Sequence, residues 1–520
     1  MSTYNYMKLQ NGTDIRGVAL ADIPSEPVNL DTVETQMIAK SFLLWLSSKT
    51  KKEFDTITIS IGHDSRLSAH SLKAAFIEAL LPFGVTVLDA GLSSTPAMFM
   101  STIFKEYACD GAIMITASHL PFNRNGFKFF DVNGGLNKGD ITQILSCCQS
   151  QSELSSMVKT APTKLGVCKT IDLIGTYSAH LRQMIIDQVD SKVDSQMPLK
   201  GMNIVVDAGN GAGGFYATEI LANLGANISN SQFLNPDGTF PNHPPNPEDK
   251  NAMESICKKV RESKADFGLI FDTDVDRSSA VDGNGREINR NGIVALAAAL
   301  IADEHPGTTV VTDSITSDQL TSFLENQLGL KHLRFKRGYK NVINKSIELN
   351  QSGVDSQLAI ETSGHAAYKE NYFLDDGAYL ATKIVIKAAK LNLEGKTLDS
   401  LISSLKKPME ASEIRFPIVT EDFGKYGDGI LSDLEEWGKK NQTLLGCNVV
   451  SPNFEGVRIS FDNPDVTGWC LLRKSLHDPI MPFNVETTTV GGCNKIYEYL
   501  IDFLADYQFL DTAQLEKLIK

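Results

Sequence analysis

The chain contains 520 residues, of which 42% are hydrophobic and 22% are charged, a composition typical of globular proteins. At roughly 100–200 residues per domain, this length predicts about three or four domains. The net charge of −14 argues against a nucleic-acid or membrane-surface partner, because both of these partners are themselves negatively charged.

Short β-rich segments alternate with helical periodicity in the first part of the chain. We predict a strand at residues 56–64, a helix at residues 68–84, and strands at residues 85–91 and 111–119. This alternation predicts a largely parallel sheet. The pattern begins again near residues 201–214 and 307–316, which indicates three similar α/β units. The polar stretch at residues 149–163 is interpreted as the connection between the first two units.

The chain after about Glu410 differs from these units. It contains predicted strands at residues 456–463, 468–475 and 482–489, and one long helix is predicted at its end. We therefore predict an α/β protein with three repeated mixed-sheet domains and a smaller C-terminal α+β domain. The predicted domains cover residues 1–165, 166–303, 304–410 and 411–520.

The eight cysteines include no Cys-x-x-Cys pair, so we expect neither a zinc site nor a disulfide framework. Reduced thiols of this kind are typical of the cytoplasm. The first residues lack the apolar core of a signal peptide, and no apolar window of 18 residues predicts a membrane span. We expect a cytoplasmic protein.

The stretch LIFDTDVDRSSAVDGNG, residues 269–285, places Asp272, Asp274 and Asp276 after an apolar strand. Two carboxylates ~4 Å apart repel each other by roughly 4 kcal/mol at an effective dielectric constant of 20. Crowded carboxylates therefore favour a hard cation such as Mg²⁺. Two alternatives are a solvated acidic turn and a haloacid-dehalogenase phosphatase motif with Asp272 as the nucleophile. In the phosphatase interpretation FLDD, residues 373–376, would be the second acidic pair, and Ser118 would have no role.

A serine follows another apolar strand in ITASHLPFNRNGFKFF, residues 115–130. A serine at such a position is most often only a turn or capping residue. Here His119 follows Ser118 directly, and Lys128 ends the segment. A serine beside cations, with a separate acidic cluster for Mg²⁺, is typical of phosphoryl transfer, where positioning and charge neutralisation drive catalysis.

Three further segments have both a functional and a structural interpretation. The glycines of DAGNGAGG, residues 207–214, match G-x-G-x-x-G, but no acid follows about 20 residues later, so we favour a tight turn over NAD binding. Glu361, Ser363 and His365 suit sugar hydroxyls, although a polar loop with a core histidine is an alternative. Arg473 and Ser475 suit a phosphate group, or else belong to a solvated surface loop.

Taken in order, these segments resemble the α-D-phosphohexomutase superfamily, which includes phosphoglucomutases and phosphomannomutases. The resemblance rests on NGTDIRG (residues 11–17), TASHLPFNRNGFK (residues 116–128), DTDVDR (residues 272–277), ETSGH (residues 361–365) and RKSLHDP (residues 473–479), and it covers nearly the whole chain. It implies a cytoplasmic isomerase with a heart-shaped, four-domain architecture. It also implies a small phosphosugar as partner and a monomer or weak dimer.

The resemblance further implies that Ser118 carries a phosphoryl group between the two ends of a hexose phosphate. Mg²⁺ and a hexose 1,6-bisphosphate activator are the implied cofactors. The implied residue roles are catalysis by Arg16, Ser118, His119, Lys128 and Arg277, metal binding by Ser118, Asp272, Asp274 and Asp276, and substrate binding by Glu361, Ser363, His365, Arg473, Ser475 and His477.

The chain departs from the usual superfamily pattern at several positions: Leu120, Ile315, Tyr339, Leu476 and His477. These departures concern the end of the site that anchors the phosphate, so they leave the preferred sugar open. We expect activity on mannose and/or glucose phosphates. A phosphoglucosamine mutase and a non-catalytic phosphosugar-binding homologue are the alternatives.

Overall fold

The structure is a computed structural model that describes residues 4–150, 152, 154, 164–189, 194–475 and 478–519. The chain forms two compact units. We call them the N-terminal unit, Met1–Glu304 and Gln357–Ser403, and the C-terminal unit, His305–Ser356 and Ser404–Lys520. Most of the predicted connection at residues 149–163 lies outside the described residues. The four domain bounds stay a prediction.

The strands, numbered in chain order, are β1 (Gln10–Asn11), β2 (Asp14–Val18), β3 (Thr58–His63), β4 (Thr86–Leu92), β5 (Gly111–Ile115), β6 (Arg124–Asp131), β7 (Gly134–Gly135), β8 (Val167–Thr170), β9 (Ile204–Asp207), β10 (Phe267–Phe271), β11 (Ser278–Asp282), β12 (Glu287–Ile288), β13 (Thr309–Thr312), β14 (Lys331–Arg334), β15 (Leu358–Ile360), β16 (Ala366–Tyr368), β17 (Leu374–Asp375), β18 (Glu410–Pro417), β19 (Cys447–Val449), β20 (Val457–Asp462), β21 (Thr467–Leu472) and β22 (Ile480–Thr487).

The helices are α1 (Thr32–Thr50), α2 (Ala69–Leu80), α3 (Thr95–Ile103), α4 (Lys138–Ser150), α5 (Leu173–Gln188), α6 (Lys250–Ser263), α7 (Asn291–Ala299), α8 (Asp318–Ser322), α9 (Tyr339–Gln351), α10 (Gly377–Leu393), α11 (Phe423–Leu445), α12 (Gly492–Ala505) and α13 (Ala513–Ile519). Short 3₁₀ segments occur at Tyr6–Leu9, Phe54–Thr56, Leu81–Phe83, Ala222–Leu224, Lys369–Asn371 and Leu398–Ile402, and π segments at Tyr216–Leu221 and Phe323–Gln327. No helix in the described part of the chain has the length and apolar character needed to cross a membrane.

The first sheet of the N-terminal unit has the strand order β1-β2-β6-β5-β3-β4-β8, and β7 pairs with β6. Strand β3 is parallel to both β4 and β5, and β4 is parallel to β8. Strand β6 is antiparallel to β5 and β2. The sheet is therefore mixed rather than largely parallel, because the chain reverses directly after β5 instead of passing through a crossover helix.

Alternation along β6 separates the hydrophobic core from the site. The rings of Phe127 and Phe129 face helices α1 and α2, with centroids 5.6 Å from Phe76 and 4.7 Å from Phe42, respectively. Successive side chains of a strand point to opposite faces, so Lys128 lies on the other face of the sheet. This alternation lets one strand serve both the core and the site.

The second sheet of the N-terminal unit has the order β12-β11-β10-β9. Strands β9 and β10 are parallel, and β11 returns antiparallel to β10. Helix α6 packs on this sheet through a buried apolar stripe that includes Ile256 and Val260. The loop between β10 and β11, residues 272–277, contains the predicted acidic cluster. The same unit also contains the antiparallel strands β15, β16 and β17, followed by helix α10.

The C-terminal unit contains the parallel pair β13 and β14 and an antiparallel sheet in the order β18-β22-β21-β20-β19. The predicted single terminal helix is wrong, since it is divided into α12 and α13. Between these helices the main chain bonds to another segment: Val419 N donates to Phe509 O at 2.8 Å, and Asp511 N donates to Pro417 O at 2.9 Å. The longer helix α11, which was not predicted, precedes the strands instead.

Candidate active site

Ser118 lies in the turn between β5 and β6, residues 116–123, which we call the serine turn. The backbone of Ser118 has φ 49°, in the left-handed region that costs a residue with a side chain roughly 1–2 kcal/mol. The hydroxyl oxygen of Thr116 accepts a hydrogen bond from Ser118 N at 2.8 Å and stabilises this conformation. The predicted strand thus ends at Ile115, and the reversal exposes the Ser118 hydroxyl to the site.

The acid loop, residues 272–277, is anchored by neighbouring segments. Thr95 donates to Asp274 through both its main-chain N, at 2.8 Å from the carbonyl oxygen, and its hydroxyl group. Gly377 N donates to Val275 O at 3.0 Å. A Cβ atom at Gly377 would lie 2.5 Å from the carbonyl carbon of Arg277, so only glycine permits this approach. The loop therefore has a defined shape before any ligand binds.

The carboxylates of Asp272, Asp274 and Asp276 are buried, and one ligand atom from each lies within 4.8 Å of the others. Within the described residues, Oδ1 of Asp274 and Oδ1 of Asp276 accept no hydrogen bond. Burial, together with the charge of Asp276, raises the pKa of Asp272 well above its usual range. The burial of these three carboxylates excludes the alternative of a solvated acidic turn. The oxygen-only donor set and the open oxygens fit a hard divalent cation such as Mg²⁺.

Two buried cations lie against the acid loop. The ammonium group of Lys128 contacts Asp276 and lies 3.1 Å from Oδ2 of Asp274. Nε of Arg277 lies 3.1 Å from Oδ2 of Asp272, and its main-chain N donates to Oδ1 of the same residue at 3.2 Å. Burial raises the pKa of Asp276, but the charge of Lys128 outweighs it and holds that pKa below its usual range. The cluster is thereby partly neutralised.

The Ser118 hydroxyl meets the acid loop directly. Its Oγ lies 3.2 Å from Oδ2 of Asp272 and 3.3 Å from Nδ1 of His119. Desolvation and the charge of the nearby Arg277 lower the pKa of His119, so this imidazole is neutral at physiological pH. The Ser118 hydroxyl therefore lies between a carboxylate and a neutral imidazole, next to the carboxylate cluster that fits a divalent cation.

Arg16 lies on β2, which pairs with β6 next to the serine turn. Its guanidinium group donates to Thr116 O and lies 2.6 Å from Oδ2 of Asp14. The neighbouring Ile15 points into the apolar core, so strand alternation directs Arg16 to the opposite face. The structure therefore places Arg16 against the backbone of the serine turn.

The loop between β15 and β16 contains the predicted sugar-binding residues. Nδ1 of His365 lies 2.8 Å from Oγ of Ser363 and 3.4 Å from Oε2 of Glu361. On its other side, Nε2 lies 3.7 Å from Oδ1 of Asp276 and 3.6 Å from Oδ2 of Asp375. Burial lowers the pKa of His365, but Asp375 and Glu361 outweigh it and raise the pKa to about 9. An imidazolium thus connects this loop to the acid loop.

Asp375 was missed as a member of this site, because FLDD had been assigned only to the rival phosphatase motif. Burial raises the pKa of Asp375, and the charge of His365 opposes this shift. The second aspartate of the motif, Asp376, instead caps helix α10 by accepting from Tyr379 N at 2.8 Å. The available signal was the place of Asp375 at the end of β17, directly before the helix-capping Asp376.

The glycines of residues 207–214 serve close packing, as the tight-turn interpretation predicts. A Cβ atom at Gly211 would lie 2.6 Å from Thr273 O, and Ala212 N donates to the same oxygen at 2.8 Å. The chain after β9 therefore packs directly against the acid loop. This arrangement leaves no role for these glycines in a dinucleotide site.

Arg473 and Ser475 belong to the C-terminal unit. Arg473 is buried, and in the described part of that unit its Nε atom has no hydrogen-bond partner. Ser475 N donates to Ile480 O at 3.0 Å, and Ser475 Oγ accepts from Asp478 N at 3.2 Å, which closes the loop after β21. His477 lies outside the described residues. A buried guanidinium with an open donor suits an anion.

Three domain families match the chain. They are described as phosphoglucomutase/phosphomannomutase α/β/α domain I, domain II and domain III, and they match residues 8–154, 176–285 and 289–409, respectively. The C-terminal antiparallel sheet follows the third match. Three α/β domains followed by a further sheet domain confirm the predicted fold class.

Similar proteins agree with these matches. A phosphomannomutase/phosphoglucomutase of Pseudomonas putida is 30% identical over 442 residues, which cover 84% of this chain and 85% of that protein. A phosphoglucomutase/phosphomannomutase of Thermococcus kodakarensis is 30% identical over 450 residues, covering 86% and 90%. The crystal structure of a family protein from Burkholderia thailandensis has a TM-score of 0.76 at 23% identity and covers 98% of both chains. The chain therefore belongs to the phosphoglucomutase/phosphomannomutase family and is a phosphohexomutase.

Proposed function

We propose that the enzyme interconverts the 1-phosphate and 6-phosphate of a hexose, using Ser118 as the phosphoryl carrier. The observation that carries the proposal is the position of the Ser118 hydroxyl, 3.2 Å from Asp272 at the edge of the buried acid loop. A turn serine with only a structural role would not need a carboxylate cluster and buried cations around it. Phosphoryl transfer depends on these features, because it proceeds through positioning and charge neutralisation.

The proposed cycle begins with phosphorylated Ser118. The phosphoryl group moves from Oγ of Ser118 to the free hydroxyl of the hexose monophosphate, which gives a hexose 1,6-bisphosphate. The bisphosphate then reverses its orientation and returns its other phosphoryl group to Ser118. In each direction one P–O bond breaks and one forms, and the hydroxyl proton passes to a nearby base. A free bisphosphate would restore enzyme that has lost its phosphoryl group, and so act as activator.

The charged side chains have separate roles in this proposal. Asp272, Asp274, Asp276 and the Ser118 phosphoryl group would hold Mg²⁺, which when bound neutralises negative charge on the transferring group. Lys128 and Arg277 lie against the same carboxylates and would stabilise the charge that spreads over the phosphoryl oxygens.

Two further groups complete the site around the transferring phosphoryl group. Arg16 and the neutral imidazole of His119 would direct donors or acceptors to it from the serine turn. His365, held as an imidazolium between Glu361 and Asp375, would donate a hydrogen bond to a sugar hydroxyl. The carboxylate of Glu361 and the hydroxyl of Ser363 would bind sugar hydroxyls, which both donate and accept hydrogen bonds.

Arg473, Ser475 and His477 would anchor the phosphate that does not react. The support for this role is the buried Arg473 guanidinium with its open Nε donor. Mannose and glucose phosphates are the proposed substrates, and glucosamine phosphate is the alternative. We propose that the enzyme is a cytoplasmic monomer or weak dimer.

A coupled assay with purified enzyme tests the proposal. Glucose 1-phosphate, mannose 1-phosphate and glucosamine 6-phosphate are compared, each with Mg²⁺ and with or without the matching bisphosphate. We expect turnover of at least one substrate, stimulated by its bisphosphate, and none from Ser118→Ala. If no hexose phosphate is converted but one binds, the chain is a non-catalytic phosphosugar-binding homologue. Full turnover by Ser118→Ala would disprove the carrier role.

A further inference from the structure

Arg66 has no role in the proposed chemistry, although it lies directly against the serine turn. It follows β3 by three residues, and its relative exposure is 1%. A buried guanidinium carries a large desolvation cost, which a structure offsets only through charge pairing and hydrogen bonds. The hydrogen bonds of the Arg66 guanidinium group go to the serine turn and the residue that follows it.

The guanidinium donates to four main-chain carbonyl groups of the serine turn and the residue that follows it. Its two terminal nitrogens lie 2.5–2.9 Å from the carbonyl oxygens of Ser118, Leu120, Pro121 and Arg124. One of these carbonyls belongs to the proposed carrier residue itself. The rigid, planar fork of arginine therefore holds the chain at four positions from Ser118 to Arg124 at once.

Other groups hold the guanidinium in this orientation. Oδ1 of Asp64 accepts from Arg66 N at 2.9 Å, and Oδ2 lies 3.4 Å from its Nε. The ring of Phe240 covers the guanidinium, with 5.4 Å between the ring centroid and the central carbon. A Cβ atom at Gly238 would lie 2.9 Å from the Cα of Arg66, so the chain at residues 238–240 packs closely over it.

From this arrangement we propose that Arg66 is a positioning residue for phosphoryl transfer, which sets the location and the left-handed backbone of Ser118. This inference rests on the proposed carrier role of Ser118. Ser118 has φ 49°, and a strained conformation persists only where its surroundings over-determine it. The hydrogen bond from Ser118 N to the Thr116 hydroxyl oxygen supplies one constraint, and the hydrogen bonds from Arg66 to the main-chain carbonyl groups supply the others.

Arg66→Lys tests this role, because an ammonium group keeps the charge but cannot reach four carbonyls in one plane. The measurement is the single-turnover rate at which glucose 1,6-bisphosphate phosphorylates Ser118, followed by intact mass at saturating bisphosphate. We expect this rate to fall about ten- to a hundredfold, since small displacements of a reacting group have effects of that size. The KM for the hexose phosphate should change by less than about threefold, because the Arg66 side chain is buried and its terminal nitrogens donate to main-chain carbonyl groups.

Arg261→Lys is the matched control. Its guanidinium also donates to a carbonyl oxygen, that of Gly285 at 2.9 Å, but far from the serine turn in the chain. We expect this variant to phosphorylate Ser118 at the rate of the unmodified enzyme. A slowing equal to that of Arg66→Lys would show that any lost arginine bond has this effect and would overturn the inference.

Phe240→Leu supplies a second test in case Arg66→Lys does not fold. It keeps the guanidinium but removes the aromatic face that orients it, and we expect an about two- to fivefold slower phosphorylation of Ser118. Amide hydrogen exchange of residues 116–124 should be faster in both variants. Unchanged phosphorylation and exchange in a folded variant would overturn the role of Arg66. By contrast, failure of the unmodified enzyme to accept a phosphoryl group would overturn the carrier role of Ser118.

Discussion

Oγ of Ser118 lies 3.2 Å from Oδ2 of Asp272, although the two residues are 154 positions apart in the chain. Each residue follows the end of a strand in a different sheet of the N-terminal unit. The serine turn follows β5, and the acid loop follows β10. The proposed carrier oxygen is thereby adjacent to the carboxylates that would hold the metal, and a phosphoryl group on Ser118 would complete their ligand set.

Asp274→Asn tests the metal role of the acid loop. The change removes one charge from a buried oxygen cluster, so we expect turnover to fall about a hundredfold or more. Added Mg²⁺ should raise the melting temperature of the unmodified enzyme, because a bound ligand stabilises the folded state, and should raise that of the variant less. Turnover that survives exhaustive chelation would contradict the metal role, and the melting curves report on binding independently of activity.

Glu361→Ala tests the proposed sugar loop. The variant loses a buried carboxylate, 3.4 Å from Nδ1 of His365, that would accept sugar hydroxyls. We expect kcat to fall and KM to rise, with a combined loss in kcat/KM of about ten- to a hundredfold. Glu370→Ala is the control, since Glu370 pairs with Lys383 and its side chain is 42% exposed. Equal kinetics for the two variants on every hexose phosphate would refute the assignment.

The sequence allowed the residues of the N-terminal site to be predicted, because each functional segment follows an apolar strand and ends in a turn. Ser118, Asp272 and His365 were each identified by local pattern, and the structure brings them together. The proximity of the serine turn and the acid loop did not follow from spacing, since it depends on how two sheets pack. It followed only from the resemblance to a family.

Residues that act through the backbone escaped prediction. Arg66 donates to main-chain carbonyl oxygens, and the positions of these oxygens cannot be recognised from the residue types in the sequence. The sequence around Thr95 indicates only an ordinary residue of the first helical turn, yet Thr95 anchors Asp274. Residues 506–512 contain no glycine or proline that would indicate an interruption of the predicted terminal helix. Tertiary hydrogen bonds to residues 417 and 419 divide it instead.

Arg458→Ala should destabilise the C-terminal unit. The buried guanidinium of Arg458 stacks 3.6 Å from the ring centroid of Trp469, donates to Ser314 O and Thr316 O, and pairs with Asp318 at 2.9 Å. Its removal takes a donor from Ser314 O and the stacking partner from Trp469, while Arg334 still donates to Thr316 O and Asp318, so we expect a cost of about 1–3 kcal/mol. Amide hydrogen exchange of the C-terminal unit should report this loss.

Lys439→Ala is the control for this prediction, because its pair with Glu435 is exposed and such pairs contribute less than about 1 kcal/mol. Exchange in peptides from the N-terminal unit provides an internal reference. The prediction is contradicted if Arg458→Ala exchanges no faster than Lys439→Ala.

His243 should make stability depend on pH. Its Nε2 lies 3.0 Å from Oδ2 of Asp207, and Nδ1 lies 2.9 Å from Pro244 O. Burial lowers the pKa of His243, but the hydrogen bond and charge of Asp207 outweigh it, and the net pKa is raised. A raised pKa stabilises the folded state fully below about 6.5, the usual value for histidine, and this contribution is lost as pH rises through the folded pKa.

The test compares melting temperatures of the unmodified enzyme and His243→Gln from pH 6 to pH 8. Both proteins share every other titrating group, so the difference between them isolates His243. We expect the advantage of the unmodified enzyme to be larger at pH 6 than at pH 8. A difference that is constant or grows with pH would contradict a charged His243.

The phosphorylation state of Ser118 is the most direct test of its proposed role as the phosphoryl carrier. The enzyme is incubated with glucose 1,6-bisphosphate and Mg²⁺, and intact mass and peptide fragmentation then locate any added group. We expect a gain of about 80 Da, confined to Ser118, that is removed again by excess hexose monophosphate. Ser118→Ala should gain nothing. Phosphorylation at Asp272, or turnover of a hexose phosphate without any gain at Ser118, would contradict the account.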